Sequence, residues 1–142
     1  MATSARRSPG LLVDTSVAAV TVADHEHHEE TLERLRGRRL GLAGHAAFET
    51  FSVLTRLPAP ARTYARGGRA DPGAELSAHE FLSAEASRTL LEQLDSLGIS
   101  GGTVYDALVG ATAAEHGLTL VSRDRRALET YRALEVRVEF WA

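Results

Sequence analysis

The segment VYDALVGATAAEH (104–116) constrains this chain more than any other. Read as a helix, it places Ala107, Leu108, Val109, Ala111 and Ala113 on nearly every side and leaves almost no polar face. A helix that is apolar all round has to be covered, and Gly110 permits close approach to a sheet. Gly101-Gly102 before it and Gly117 after it are turn signals, and the apolar run 118–122 then reads as a buried strand. Asp106 nevertheless stands at the helix start. A carboxylate on an element with so little wet surface needs something to compensate it.

The rest of the chain alternates in the same way. Leu11-Leu12-Val13 is a continuous apolar run of the kind buried on both faces, followed by an Ala- and Val-rich helix over 15–22 capped by Asp14 or Thr15. Residues 24–36 form a polar surface helix with Asp24 as N-cap and Leu32 and Leu35 as its apolar edge; 38–42 alternate as a short strand. A helix over 45–56 follows, with Ala47, Phe48, Phe51, Leu54 and Thr55 as its core face, and Pro58 and Pro60 stop it.

Residues 61–79, broken by Gly67-Gly68 and Pro72-Gly73, read as a loop. Phe81-Leu82 make a very short strand, and 83–97 form an amphipathic helix through Ala86, Leu90, Leu91 and Leu94, with Gly98 as its left-handed cap. A helix over 125–134 and a last strand through Val136, Val138 and Phe140 complete the chain. Strands separated by helices imply right-handed crossovers. The expected fold is therefore a single three-layer α/β/α domain with a central, mainly parallel sheet. A length of 142 residues suits one domain, taken as 11–142 behind a flexible terminus at 1–10.

Composition narrows the chemistry. With no cysteine, disulfides, thiolate catalysis and Cys-ligated zinc are excluded together, so any metal must be held by oxygen or imidazole. No apolar run approaches the roughly 18 residues of a membrane helix, and the chain reads as cytoplasmic. The net charge is −3, yet all 16 basic residues are Arg. Guanidinium forks grip phosphates in pairs, although a genome rich in Arg, Ala and Gly codons produces the same bias. His25, His27 and His28 lie on a polar helix and read as solvated rather than as ligands.

Four acids remain. In a parallel sheet all strand ends share one edge, and ligands bind there. Asp14 and Asp124 each follow a strand, Glu49 lies on the third helix, and Asp106 opens the buried one. Each has an ordinary explanation. Asp14 and Asp124 suit helix or turn caps, Glu49 a solvated position, and Thr103-x-x-Asp106 a capping box. Together they suggest otherwise, because converging carboxylates repel one another unless a cation keeps them ionised. Hard oxygen ligands select Mg²⁺ or Mn²⁺, which lowers the pKa of a bound water and suits phosphodiester hydrolysis.

The segments LLVDTSV (11–17), HAAFETFSVLTRLP (45–58), GISGGTVYDALVGATAAEHGLTLVSRD (98–124) and RRALETYRAL (125–134) together resemble the PIN-domain ribonucleases, among them the VapC toxins of bacterial type II toxin–antitoxin modules. The resemblance implies a metal-dependent endoribonuclease that cuts transfer or ribosomal RNA, with Asp14, Glu49, Asp106 and Asp124 as catalytic metal ligands. It also implies a homodimer neutralised by a cognate VapB-type antitoxin. Thr15, Ser16 and Ser122 look like hydroxyls that orient the carboxylates or water, and Arg123, Arg125 and Arg126 like contacts to RNA phosphates. After Arg56-Leu57-Pro58 the family continues with a helix, whereas this chain has a Gly- and Arg-rich stretch.

Three other classes share parts of this pattern. A haloacid-dehalogenase-type phosphatase needs a second acid two residues after the first, where Ser16 stands, and a phospho-receiver needs a Lys that the chain lacks. A non-catalytic PIN-like module binding RNA or protein is the remaining alternative, and four retained acids argue against it.

Overall fold

The computed structural model of the protein describes residues 10–22, 26–38, 40–56, 58 and 78–142. Its strands are β1 (Leu11–Val13), β2 (Leu40–Ala43), β3 (Ala78–Glu80), β4 (Thr119–Ser122) and β5 (Val138–Phe140). They lie in one sheet in the order β3-β2-β1-β4-β5, and every neighbouring pair is parallel. The helices are α1 (Thr15–Val22), α2 (His28–Leu35), α3 (Gly44–Arg56), α4 (Ala84–Gln93), α5 (Thr103–Glu115) and α6 (Leu128–Ala133), the last preceded by a 3₁₀ turn, Arg125–Ala127.

This strand order explains where a site can form. The chain steps outward from β1 through β2 to β3, then returns to the other side of β1 for β4 and β5. Right-handed crossovers then put α1 to α3 on one face and α4 to α6 on the other. The packing agrees: α1 lies on α2 and α3, while α5 lies on α4 and α6. The reversal falls between β1 and β4, where the loops leaving the two strands part and open a crevice at their carboxyl ends. Asp14 follows β1 at that point, and Asp124 follows β4.

The core explains why the central strands read as unbroken apolar runs. Leu12, Val13, Leu120 and Val121 are fully buried, with Val17, Leu35 and Tyr131 packed among them. Leu40, Gly41, Leu42 and Ala43 are likewise buried on both faces, so β2 does not expose alternate residues as its sequence suggests.

Several other expectations are corrected. The core face of α3 consists of Gly44, Ala46, Thr50 and Leu54, whereas Phe48 is 71% exposed and Phe51 51%. Small residues let α3 approach the rest of the fold closely, and hydrophobic spacing alone counted the two large rings on the wrong side. Gly110 lies against α6 and the turn after it rather than the sheet: a Cβ there would meet Tyr131 Cδ1 at 3.0 Å and Leu134 Cδ1 at 3.3 Å. Residues 78 and 79, expected in a loop, begin β3, while Phe81-Leu82 lie beyond its end.

In α4, Ser83 is the N-cap, accepting from the Ala86 amide at 3.1 Å, and Leu91 turns outward. The capping box expected at Thr103 does not form, since its hydroxyl donates to the Ser100 carbonyl at 2.6 Å. Gly98 is left-handed, at φ 70°, as its cap position requires. The second helix starts at His28, while Asp24, His25 and most of 61–79 lie outside the described residues. His27 sits 3.3 Å from Glu26 and 3.6 Å from Glu30 on the polar surface. Among the described residues no helix is long and apolar enough to cross a membrane.

Candidate active site

Asp14 is the best-held of the four acids. Its amide continues the ladder to β4 by donating to the Val121 carbonyl at 3.2 Å, and its own carbonyl accepts from the Val17 and Ala18 amides, starting α1. The side chain is only 5% exposed. Oδ1 accepts from the Ser16 amide at 3.0 Å and from the Ser16 hydroxyl, and Oδ2 accepts from the Tyr131 hydroxyl at 2.9 Å. Asp14 therefore does cap α1, with its carboxylate held at the ends of β1 and β4. Burial pushes its carboxyl up from the usual range, against hydroxyls of Ser122, Ser16 and Tyr131 that favour the charged form.

The hydroxyls singled out in the sequence all have defined tasks. Ser16 Oγ accepts from the Arg123 amide at 2.8 Å, tying the end of β4 to the start of α1. Ser122 Oγ accepts from the Asp124 amide at 3.1 Å. Thr15 Oγ1 donates to Glu49 Oε2 at 3.0 Å, and His45, one turn earlier on α3, holds Glu49 Oε1 at 2.7 Å. Glu49 is thus drawn toward the β1 end rather than left in solvent.

Asp106 reports the convergence. Its carboxyl is pushed up to about 6, first by burial and then by the charges of Asp124, Asp14 and Glu49, with Arg126 acting in the opposite direction. All three other acids therefore reach it electrostatically. Among the described residues, however, no three Asp, Glu or His side chains are gathered closely enough to hold a metal ion. The four share a field, not a coordination sphere. That is the arrangement expected of like charges held apart by their own hydrogen-bond partners.

Asp124 serves two ends. Its Oδ1 accepts from the Arg126 amide at 2.9 Å, capping the 3₁₀ turn as the ordinary explanation predicted, while its charge also raises Asp106. Arg126 is 93% exposed on its side chain and reaches Asp124 loosely, at 3.4 Å. The Arg125 guanidinium lies over the Phe140 ring at 5.1 Å, a cation–π contact made by its charged head.

The sequence did not reveal Tyr131 or His45. Tyr131 is 1% exposed, and burial with the neighbouring Asp14 charge holds its phenol protonated, well above the ordinary range. A buried tyrosine needs a partner for its hydroxyl, which was the available signal. Tyr131→Phe should cost about 1–2 kcal/mol in urea unfolding at neutral pH, where Asp14 loses a hydrogen bond to its charged form. Less should be lost in acid, where that carboxyl is protonated.

Three comparisons bear on this geometry. The PIN-domain model matches residues 11–133. Ribonuclease VapC40 of Mycobacterium tuberculosis is 43% identical over 129 residues, spanning 89% of this chain and 95% of the relative. Ribonuclease VapC27 of the same organism is 40% identical over 131 residues, spanning 92% and 96%. Among solved structures, DNA-bound VapBC from Salmonella typhimurium shares the fold, with a TM-score of 0.66 at 22% identity over 95% of this chain and 100% of that one. With its parallel sheet, its acids at the β1/β4 crevice and relatives of this closeness, the chain belongs to the PIN-domain family and, within it, to the VapC group.

Proposed function

We propose that the protein is a metal-dependent endoribonuclease toxin, formed by one domain over 11–142, that hydrolyses phosphodiesters of transfer or ribosomal RNA. The observation that carries this reading is the placement of Asp14 and Asp124 just beyond the ends of the neighbouring strands β1 and β4, with Glu49 tied to Thr15 beside them, in a chain 43% identical to a VapC ribonuclease. The raised carboxyl of Asp106 agrees with it. Such a concentration of negative charge, made only of oxygen donors, fits a hard divalent cation, Mg²⁺ or Mn²⁺. Asp14, Asp106, Glu49 and Asp124 are the donors proposed for it, although as they stand no three of them are gathered into one coordination sphere. When bound, it supplies Lewis acidity and lowers the pKa of a water.

The chain's own residues do the positioning. Ser16 and Tyr131 fix the two oxygens of Asp14, Thr15 and His45 fix those of Glu49, and Ser122 holds the Asp124 backbone. Arg123, Arg125 and Arg126 offer a basic rim for RNA phosphates beside this acidic centre. The names of the two mycobacterial relatives support ribonuclease activity, and the VapBC complex supports a cognate VapB-type antitoxin as partner. A homodimer is part of the same reading. Phe48 and Phe51 give α3 apolar area of the kind that partners cover.

The test is cleavage of total RNA by the purified protein. Cutting is expected with Mg²⁺ or Mn²⁺ and none with chelator. Equal cutting in both would remove the metal from the mechanism, and no cutting under any condition would favour the non-catalytic binding module.

A further inference from the structure

His45 and Tyr105 come from different helices, α3 and α5, yet their rings lie parallel within 4°, with centroids 5.0 Å apart. Both are tied to the acids. His45 Nε2 is 2.7 Å from Glu49 Oε1, and Tyr105 immediately precedes Asp106 on the first turn of α5. Tyr105 is 53% exposed, and His45 keeps 29% of its side chain accessible. The exposed Phe81 makes a different arrangement, packed over Gly44 and set edge-on to His79 at 89°. A flat, parallel, outward-facing pair beside the acids occurs at His45 and Tyr105.

Resting on the ribonuclease reading, we propose that the His45–Tyr105 stack is a shelf for an unpaired nucleobase adjoining the phosphate to be cut. Four carboxylates repel a polyanion. An uncharged attraction next to them adds to what the arginine rim supplies in seating RNA, and stacking on an aromatic face provides one for any base. Bases inside an RNA duplex have both faces covered by their neighbours, and A-form grooves do not present them to a side-chain shelf. A loop or single strand does. As a merely structural contact the pair would join α3 to α5, and its loss would then affect stability without regard to any base on the RNA.

The experiment uses a single-stranded oligoribonucleotide carrying one 2-aminopurine, whose fluorescence dims on stacking, titrated with the full-length protein in Ca²⁺ and again in chelator. Dimming is expected with the parent and with Tyr105→Phe, and not with Tyr105→Leu. In the cleavage assay with Mn²⁺, Tyr105→Leu should raise KM roughly tenfold, within the range of one lost base stack. Removing the base at one position should cost the parent a similar factor and cost Tyr105→Leu nothing more. The parent's own response to the abasic substrate keeps the test valid should Tyr105→Leu fold poorly. Undiminished dimming by Tyr105→Leu, no dimming by the parent, or equal abasic losses in both proteins would overturn the shelf. Dimming by a parent that cuts no RNA would instead overturn the ribonuclease reading and leave the shelf standing.

Discussion

Replacing Asp14 or Asp106 by alanine is expected to lower RNA cleavage by about three orders of magnitude, the scale of losing several kcal/mol of charge stabilisation at the reacting phosphate. The two variants test different parts of the site. Asp14 is enclosed by Ser16 and Tyr131, so alanine there also strands two hydroxyls and removes the cap of α1. Some loss of stability should accompany the loss of cleavage. Asp106 has no comparable set of donors and is crowded by three acids. Its removal should abolish cutting while leaving the chain folded. Cleavage by both variants at the parent's rate, measured on the same RNA with Mn²⁺, would disprove the assignment of the acids.

Without metal, the protein is expected to be less stable at pH 7 than at pH 5. Asp106 has an ordinary carboxyl value of 3.8 and is raised to about 6 in the fold. Between those values the folded state binds more protons than the unfolded chain, so stability falls as pH rises through that window. Asp14 shifts in the same direction and adds to the effect. Asp106→Asn should flatten this part of the profile and raise the metal-free melting temperature at pH 7 by a few degrees. That corresponds to about 1 kcal/mol for a domain of this size, after allowance for the solvent-facing part of the side chain. Mn²⁺ should raise the parent's melting temperature at pH 7 and do much less for the variant. A melting temperature of the chelated parent that rises from pH 5 to pH 7, with Asp106→Asn following it, would contradict the raised carboxyl.

The central strands were legible because burial on both faces leaves unbroken apolar runs, whereas α5, expected to be covered all round, buries Ala107, Val109, Gly110, Thr112 and Ala113 and leaves Tyr105 and Ala114 exposed. Asp14 and Asp124 could be placed for a similar reason, since a parallel sheet brings strand ends together whatever the loops do. The orientation of α3 was not legible. Two phenylalanines outweighed Gly44, Ala46 and Thr50 in any count of hydrophobic spacing, although close helix packing favours the small residues. Tyr131 was missed because its partner lies 117 positions away, whereas His45 sits four residues before Glu49 on a helix, a spacing that could have paired them. The four acids were found, but the extent of their separation in the fold was not.

Tyr131 also carries a consequence for synthesis. A ribosome makes Asp14 near the beginning, on the strand that becomes the middle of the sheet, and makes the hydroxyl that holds it 117 residues later. Ser122 then accepts β5 through the Trp141 amide at 2.9 Å. The Ser16 contacts to Asp14 need only neighbouring residues, whereas the Tyr131 contact cannot form until a segment 117 positions later has docked.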